Sequence, residues 1–324
     1  VKKFTSIGQY RNVVKTVTGY YNKINALHKL PTLNFVGTVK LHGTNAGLRR
    51  VGGVYQAQSR EHLISVDKDN AGFAAFIHRI PTEKLDDIFD KISTDPDADI
   101  TLYGEWVGKG IQSNVAVTEL DKHWVLFAAV VNDQYVDFIY HKDVMDHAEN
   151  IYNIYELPVY KVTVDFKNPE QAIPEIERVT LAVEEECPWG KKFGVVGIGE
   201  GVVWRCIERP SDTELFFKTK GTKHSNSKVK KVVSVDIERV NNINALVEAI
   251  LPNGRLEQGM DVLVNQMHLD IDPVNIGSYL KWIANDILKE EVDTITDNGF
   301  VWADVAKSVN NKAKAFFFSK MSEF

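Results

Sequence analysis

The stretch GTVKLHGTNAGL, residues 37–48, puts a lysine and a histidine at the point where a strand pattern runs out. Phe35, Val39 and Leu41 alternate as a buried strand face does, which sends Thr38, Lys40 and His42 to the opposite face, just ahead of Gly43-Thr44-Asn45. A lysine on a strand face is ordinarily a solvent-facing edge residue. The neighbours change that reading, because a K-x-H-G-T-N string arises by chance in about one chain of this length in ten thousand at ordinary residue frequencies. At a strand end before a glycine turn, the Lys40 amine is placed to face a cleft. There, burial and nearby cations lower the pKa of an amine and make it a nucleophile.

Such a nucleophile suits an electrophile of concentrated negative charge, which needs cations opposite it. The segment ELFFKTKGTKHSNSKVKK, residues 214–231, supplies them. In a strand over 214–220, Lys218 and Lys220 share one face and Leu215 and Phe217 the other, so both ammonium groups can meet one phosphate. Lys223, Lys228, Lys230 and Lys231 extend this into a basic patch, which taken alone is equally a solvated strand end and loop. Glu105 in LYGEWVGKGIQ and Glu200 in GIGEGVVWR each follow a glycine beside an apolar strand. Unless these are surface turns, carboxylates so placed call for a hydroxyl, a cation or a metal. Phe127, inside VLFAAVV, has the periodicity of a core residue.

The elements that must carry these residues are short alternating runs at 34–41, 46–51, 54–58, 100–107, 123–131, 134–140, 201–207 and 214–220, all read as strands. Gly52-Gly53 and Asn132-Asp133 mark two hairpins. NAGFAAFIHRI from Asn70 and the acidic segment ending near Cys187-Pro188 read as helices. Strands joined by hairpins with helices between them predict an α+β domain of largely antiparallel sheets. Beyond about Val235 the apolar spacing turns helical: Ile243 to Leu251, Leu256 to Met267, a third helix opening at Asp272-Pro273, and FVWADVAKSVNNKAKAFFF as a fourth. The expected division is 1–235 and 236–324, the second part a small all-α domain.

Bulk properties bound the function. The 324 residues carry a net charge of −6 with a pI near 5.9, so nucleic-acid contact must come from a local patch and not a general basic coat. Cys187 and Cys206 are the two cysteines, without a C-x-x-C pair or Cys/His cluster, which argues against a disulfide framework or a zinc site. No apolar h-region opens the sequence and no uncharged apolar run reaches 18 residues, so it reads as soluble, intracellular and not secreted.

The chemistry-bearing strings together resemble the ATP-dependent RNA ligases of the RNA ligase 2 family, relatives of the RNA-editing ligases within the covalent nucleotidyltransferase superfamily. KLHGTN from Lys40 resembles the nucleophile motif in its RNA-ligase form, with Ser59-Arg60, YGEW at 103–106, FAAVV from Phe127, EGVVW from Glu200 and FKTKG from Phe217 following in the family's order. The span covered is about 36–231.

The resemblance implies an N-terminal nucleotidyltransferase domain of the ATP-grasp-like ligase adenylation type. It also implies that Lys40 attacks the ATP α-phosphorus to give lysyl-AMP, which passes to an RNA 5′-phosphate before a 3′-hydroxyl displaces AMP. Arg60 and Glu105 would hold the ribose and phosphate side, Phe127 would stack on adenine, and Lys218 and Lys220 would hold the α-phosphate. Glu200 would place Mg²⁺ or Mn²⁺, directly or through water, and His42 and Asn45 would sit beside the phosphate for the joining steps. Val39 belongs to the nucleotide-binding set by position but departs from the family, whose best-known members carry a glutamate there that reads the adenine amino group. The implied partner is RNA with 3′-OH and 5′-phosphate ends, including a nicked duplex, met by a monomer without a membrane. A DNA ligase, a capping guanylyltransferase or a catalytically silent RNA-binding module are the alternatives. The first two would carry an OB barrel after the last motif, which the helical period beyond 240 argues against.

Overall fold

The computed structural model describes residues 1–24, 29–223 and 243–321. These divide into two compact units, Val1–Thr219 and Lys220–Phe324. The expected boundary at 235/236, and Lys228, Lys230 and Lys231 of the basic patch, lie outside the described residues.

The first unit is built on two sheets. Helix α1 (Tyr10–Ile24) precedes β1 (Thr32–Lys40), β2 (Thr44–Val51) and β3 (Val54–Ser59). Helices α2 (Phe73–His78) and α3 (Thr82–Asp90) lead to β4 (Ile100–Val107), β5 (His123–Val131), β6 (Gln134–Tyr135), β7 (Ile151–Asn153) and β8 (Tyr160–Asp165). Helices α4 (Ile173–Glu185) and α5 (Pro188–Lys192) then bring the chain to β9 (Gly201–Cys206) and β10 (Phe217–Lys220). One sheet has the order β10-β9-β1-β8, and the other β3-β2-β4-β5-β6 with β7 beside β5. Their pairings are antiparallel wherever the register is defined, except β5 with β7.

Both hairpins form where their turn residues predict. Gly52 and Gly53 take φ of 55° and 72°, and Asn132 and Asp133 take 47° and 67°. Two positive values in succession are what a two-residue turn needs to match the strand twist. Two expected strands are shorter than their alternation suggests. The run 134–140 pairs only at Gln134–Tyr135 and then coils into a 3₁₀ turn at Phe138–Tyr140. The run 214–220 opens as a 3₁₀ turn, Thr213–Leu215, because the Asp212 carboxylate accepts from Glu214 N–H, and it becomes a strand only at Phe217.

The chain passes from one sheet to the other between Lys40 and Thr44, so the KLHGTN segment is itself the bridge. In the β1 sheet, Phe35, Gly37 and Val39 pair with Cys206, Trp204 and Val202 on the face that packs inward. The ring of Phe217 joins them, 5.4 Å from Phe35 and 5.9 Å from Trp204. Alternation then sends Thr38, Lys40, Val203 and Arg205 to the opposite face. In the other sheet, Trp106 and Trp124 pack against Phe73 of α2, while Tyr103 faces Phe4 of the N-terminal segment. That segment also meets the first sheet, where Gly8 bridges Phe217 and accepts the Lys218 amide at 2.9 Å.

The second unit matches its helical spacing: α6 (Ile243–Ile250), α7 (Asn253–Asp261) running on as a π turn through Gln266, α8 (Ile276–Asp297) and α9 (Trp302–Met321). Asp272 caps the turn at Pro273 by accepting from Val274 N–H, 2.9 Å away. Leu246, Leu256, Tyr279, Ile283, Val309 and Phe317 share its core. Among the described residues no strand follows β10, and no helix is long and apolar enough to cross a membrane.

Candidate active site

Lys40 ends β1, paired with Gly201, and this pairing puts Glu200 beside it at the entry to β9. The Lys40 ammonium donates to Glu200 Oε2 at 2.6 Å. His42 Nδ1 lies 3.5 Å from the same oxygen although β1 has ended two residues earlier. Lys40 and His42 therefore converge by the bend of the chain, where the sequence suggested a continuing strand. Glu200 is 2% exposed, so its charge is compensated by neighbours and not by water.

Gly43 makes the bend. Its N–H donates to Glu105 Oε1 at 3.1 Å, and its carbonyl accepts from Gln112 Nε2 at 2.9 Å. A Cβ there would lie 2.3 Å from Trp106 O and 2.7 Å from Val107 Cγ1, so only glycine fits against β4. Asn45 then pairs with Glu105 across β2 and β4, which directs both side chains to one face. Burial pushes the Glu105 carboxyl up to about 7; repulsion from Glu200 adds to this, and Lys40, the Gly43 amide and Arg60 oppose it. Asn45 Oδ1 and Gln112 Oε1 are buried without a hydrogen-bond partner. Two buried acceptors beside a carboxyl that resists ionisation make a site that favours an incoming donor or cation.

The remaining expected residues lie on several elements of the fold. Arg60 follows β3, and its Nη2 donates to Ser6 Oγ at 3.3 Å. Phe127 occupies a β-bulge, where the register between β4 and β5 slips at Tyr103/Gly104 and leaves it opposite no residue. Its half-exposed ring stands edge-on to Phe4 at 5.1 Å. A bulge re-aims a side chain out of the pleat, which alternation alone does not reveal. Lys218 and Lys220 lie on the face of β10 opposite Phe217 and Thr219, so alternation puts Lys218 on the Lys40 face of the sheet. Val39 is buried on the other face of β1, with its side chain among core residues. Gln112, which no motif singled out, lies in the GKGIQ loop behind β4; its polar type next to two glycines was the available signal.

The model for the RNA ligase family matches residues 33–220, more than half of the chain, a span that holds Lys40, Arg60, Glu105, Phe127, Glu200 and Lys218. The chain belongs to the RNA ligase family. Among solved structures it is similar to Naegleria gruberi RNA ligase in several forms. A variant with ATP and Mn is 16% identical over 67% of this chain and 55% of that one, with a TM-score of 0.44. The form with PPi is 17% identical over 68% and 56%, and a variant with AMP and Mn 16% identical over the same shares, both with a TM-score of 0.45. The chain thus spans just over half the length of these solved relatives. No curated protein matches it.

The donor set bears on a divalent ion. Among the described residues no group of three or more His, Cys, Asp or Glu side chains could cage a metal. Glu200 supplies instead a single buried carboxylate, the hard-oxygen type that a largely hydrated Mg²⁺ or Mn²⁺ accepts, directly or through water.

Proposed function

We propose that this chain is an ATP-dependent RNA ligase that joins a 3′-OH to a 5′-phosphate through a lysyl-AMP intermediate. The observation that carries the reading is the convergence of Lys40, His42 and Glu200 at the bridge between the two sheets, with Lys218 on the same sheet face. Lys40 Nζ must lose a proton to attack, and Glu200 Oε2 at 2.6 Å is the acceptor within reach. The amine then forms a P–N bond to the ATP α-phosphorus as the bond to pyrophosphate breaks. Lys218 and Lys220 neutralise the oxygen charge that develops there. A hydrated Mg²⁺ or Mn²⁺ held by Glu200 would supply further neutralisation. Arg60 and Glu105 hold the ribose side and Phe127 offers its ring to adenine.

In the joining steps the P–N bond breaks as an RNA 5′-phosphate oxygen takes the AMP, and the 3′-hydroxyl then displaces AMP to close the strand. Asn45 Oδ1, buried and without a partner, is an acceptor positioned for an RNA hydroxyl during those steps. With Val39 turned into the core, adenine selection rests on backbone groups or on another side chain. The two units correspond to an adenylation domain and a helical domain that helps engage RNA, and the protein acts as a monomer on nicked duplex in RNA repair. The test offers nicked duplex RNA, single-stranded RNA, an RNA/DNA hybrid and nicked duplex DNA with ATP and Mg²⁺. Sealing greatest on the nicked duplex is expected. Sealing of no RNA, with DNA nicks closed instead, would overturn the assignment.

A further inference from the structure

Thr219 stands between the two motif lysines, Lys218 and Lys220, on the opposite face of β10. Thr219 is 3% exposed, and its hydroxyl sits in a row of donors whose direction is fixed from end to end. Trp204 Nε1–H, which can only donate, reaches Thr219 Oγ1 at 3.1 Å. Thr219 Oγ1 is 2.7 Å from Thr180 Oγ1, and Thr180 Oγ1 is 2.6 Å from Ile176 O, which can only accept. Thr180 therefore gives its one proton to Ile176, and Thr219 donates to Thr180 while accepting from Trp204. Trp204, Thr219 and Thr180 are all buried, so losing one link leaves a donor or acceptor with no water to replace it.

The indole reaches this position because of Gly37. Gly37 pairs with Trp204 across β1 and β9, and a Cβ on it would lie 2.8 Å from two atoms of the indole ring. The same ring stacks on Phe217 at 5.9 Å with an interplanar angle of 13°. One side chain thus lies flat over the strand that ends in Lys40 and bonds the strand that carries Lys218, with α4 anchoring the far end of the row. A hydroxyl of the right reach at 219 is what turns the inner face of β10 to the indole, and alternation then turns Lys218 to the face of Lys40. We propose that the Trp204–Thr219–Thr180 row is a crossbar that sets the register of β10 against β9, and through β9 against β1, making Thr219 the positioning residue for Lys218. Its consequence for catalysis rests on the ligase reading, whereas its geometry does not.

The test compares Thr219→Val, which keeps the shape and loses the hydroxyl, with Thr219→Ser, which keeps the hydroxyl, and with Thr180→Val at the far end. Hydrogen exchange at the Lys218 amide, which bonds Gly8 O, reads without ATP how firmly β10 is held in place. About tenfold faster exchange is expected in both valine variants and near-wild-type exchange in Thr219→Ser. With labelled ATP at saturation, Thr219→Val should take up label about tenfold or more slowly, with little change in the ATP concentration for half-maximal rate, and Thr219→Ser should recover it. Unchanged Lys218 exchange in Thr219→Val would overturn the crossbar, whichever way labelling falls. Faster exchange with an undiminished labelling rate would overturn its role in positioning Lys218. If the wild type itself takes no label, the ligase reading fails, and the exchange result alone decides the crossbar.

Discussion

Glu105 is where the chemistry of single residues is most exposed to test. Its folded-state pKa of about 7 lies above the value of about 4.3 for a free glutamate. Between those values the folded chain holds a proton that the unfolded chain has lost, so stability falls as pH rises across that window and levels off above about 7. The ligand-free wild type should therefore lose thermal stability from pH 5 to pH 8 relative to Glu105→Gln, whose melting temperature should vary less. Parallel melting curves for the two proteins across that range would mean that Glu105 is already ionised in the fold. Much at this scale was legible in the sequence: Lys40, Glu105, Glu200 and Lys218 stand out by type and by motif order. Gln112 and the Thr219 row do not, because their meaning lies in contacts with Gly43, Thr180 and Trp204 that spacing along the chain does not encode.

At the scale of elements, the bridge between the sheets depends on a single residue without a side chain. Gly43→Ala would force the turn away from the backbone of β4, at Trp106 O, where no rotamer change can help. Label uptake from ATP should fall by about a hundredfold. Gly19→Ala in α1, where nothing lies within 4 Å of the added methyl, should leave uptake unchanged. Equal rates for the two variants would remove the turn from the mechanism. The long paired strands declared themselves as apolar runs, β4 and β5 being buried along almost their whole length. β7 spans three residues, too few to show a period, and β8, at a sheet edge, puts Lys161 and Thr163 outward and buries only Val162 and Val164. Two runs of alternating pattern hold 3₁₀ turns: 214–220 opens on one where Asp212 accepts from Glu214 N–H, and 134–140 coils at Phe138 after two paired residues.

For the whole molecule, a net charge of −6 sets the repulsion that the proposed RNA substrate would have to overcome. Attraction has to come from local clusters such as the lysines between 223 and 231. If these four contact phosphates, RNA affinity should fall with a slope of about −3 to −4 in log K against log salt. Replacing Lys228, Lys230 and Lys231 by glutamine should flatten that slope by about 2 to 3. An unchanged slope would assign this patch to solvated surface. The change from alternating to helical apolar spacing separated the two units in the sequence, because each period reports the element that buries it. The central claim is that Lys40 becomes covalently adenylylated. Incubation with α-labelled ATP and Mg²⁺, followed by denaturing electrophoresis, tests it most directly. Label is expected on the wild-type chain, released by pyrophosphate and absent from Lys40→Ala. A wild type without label, or label that survives Lys40→Ala, would contradict it.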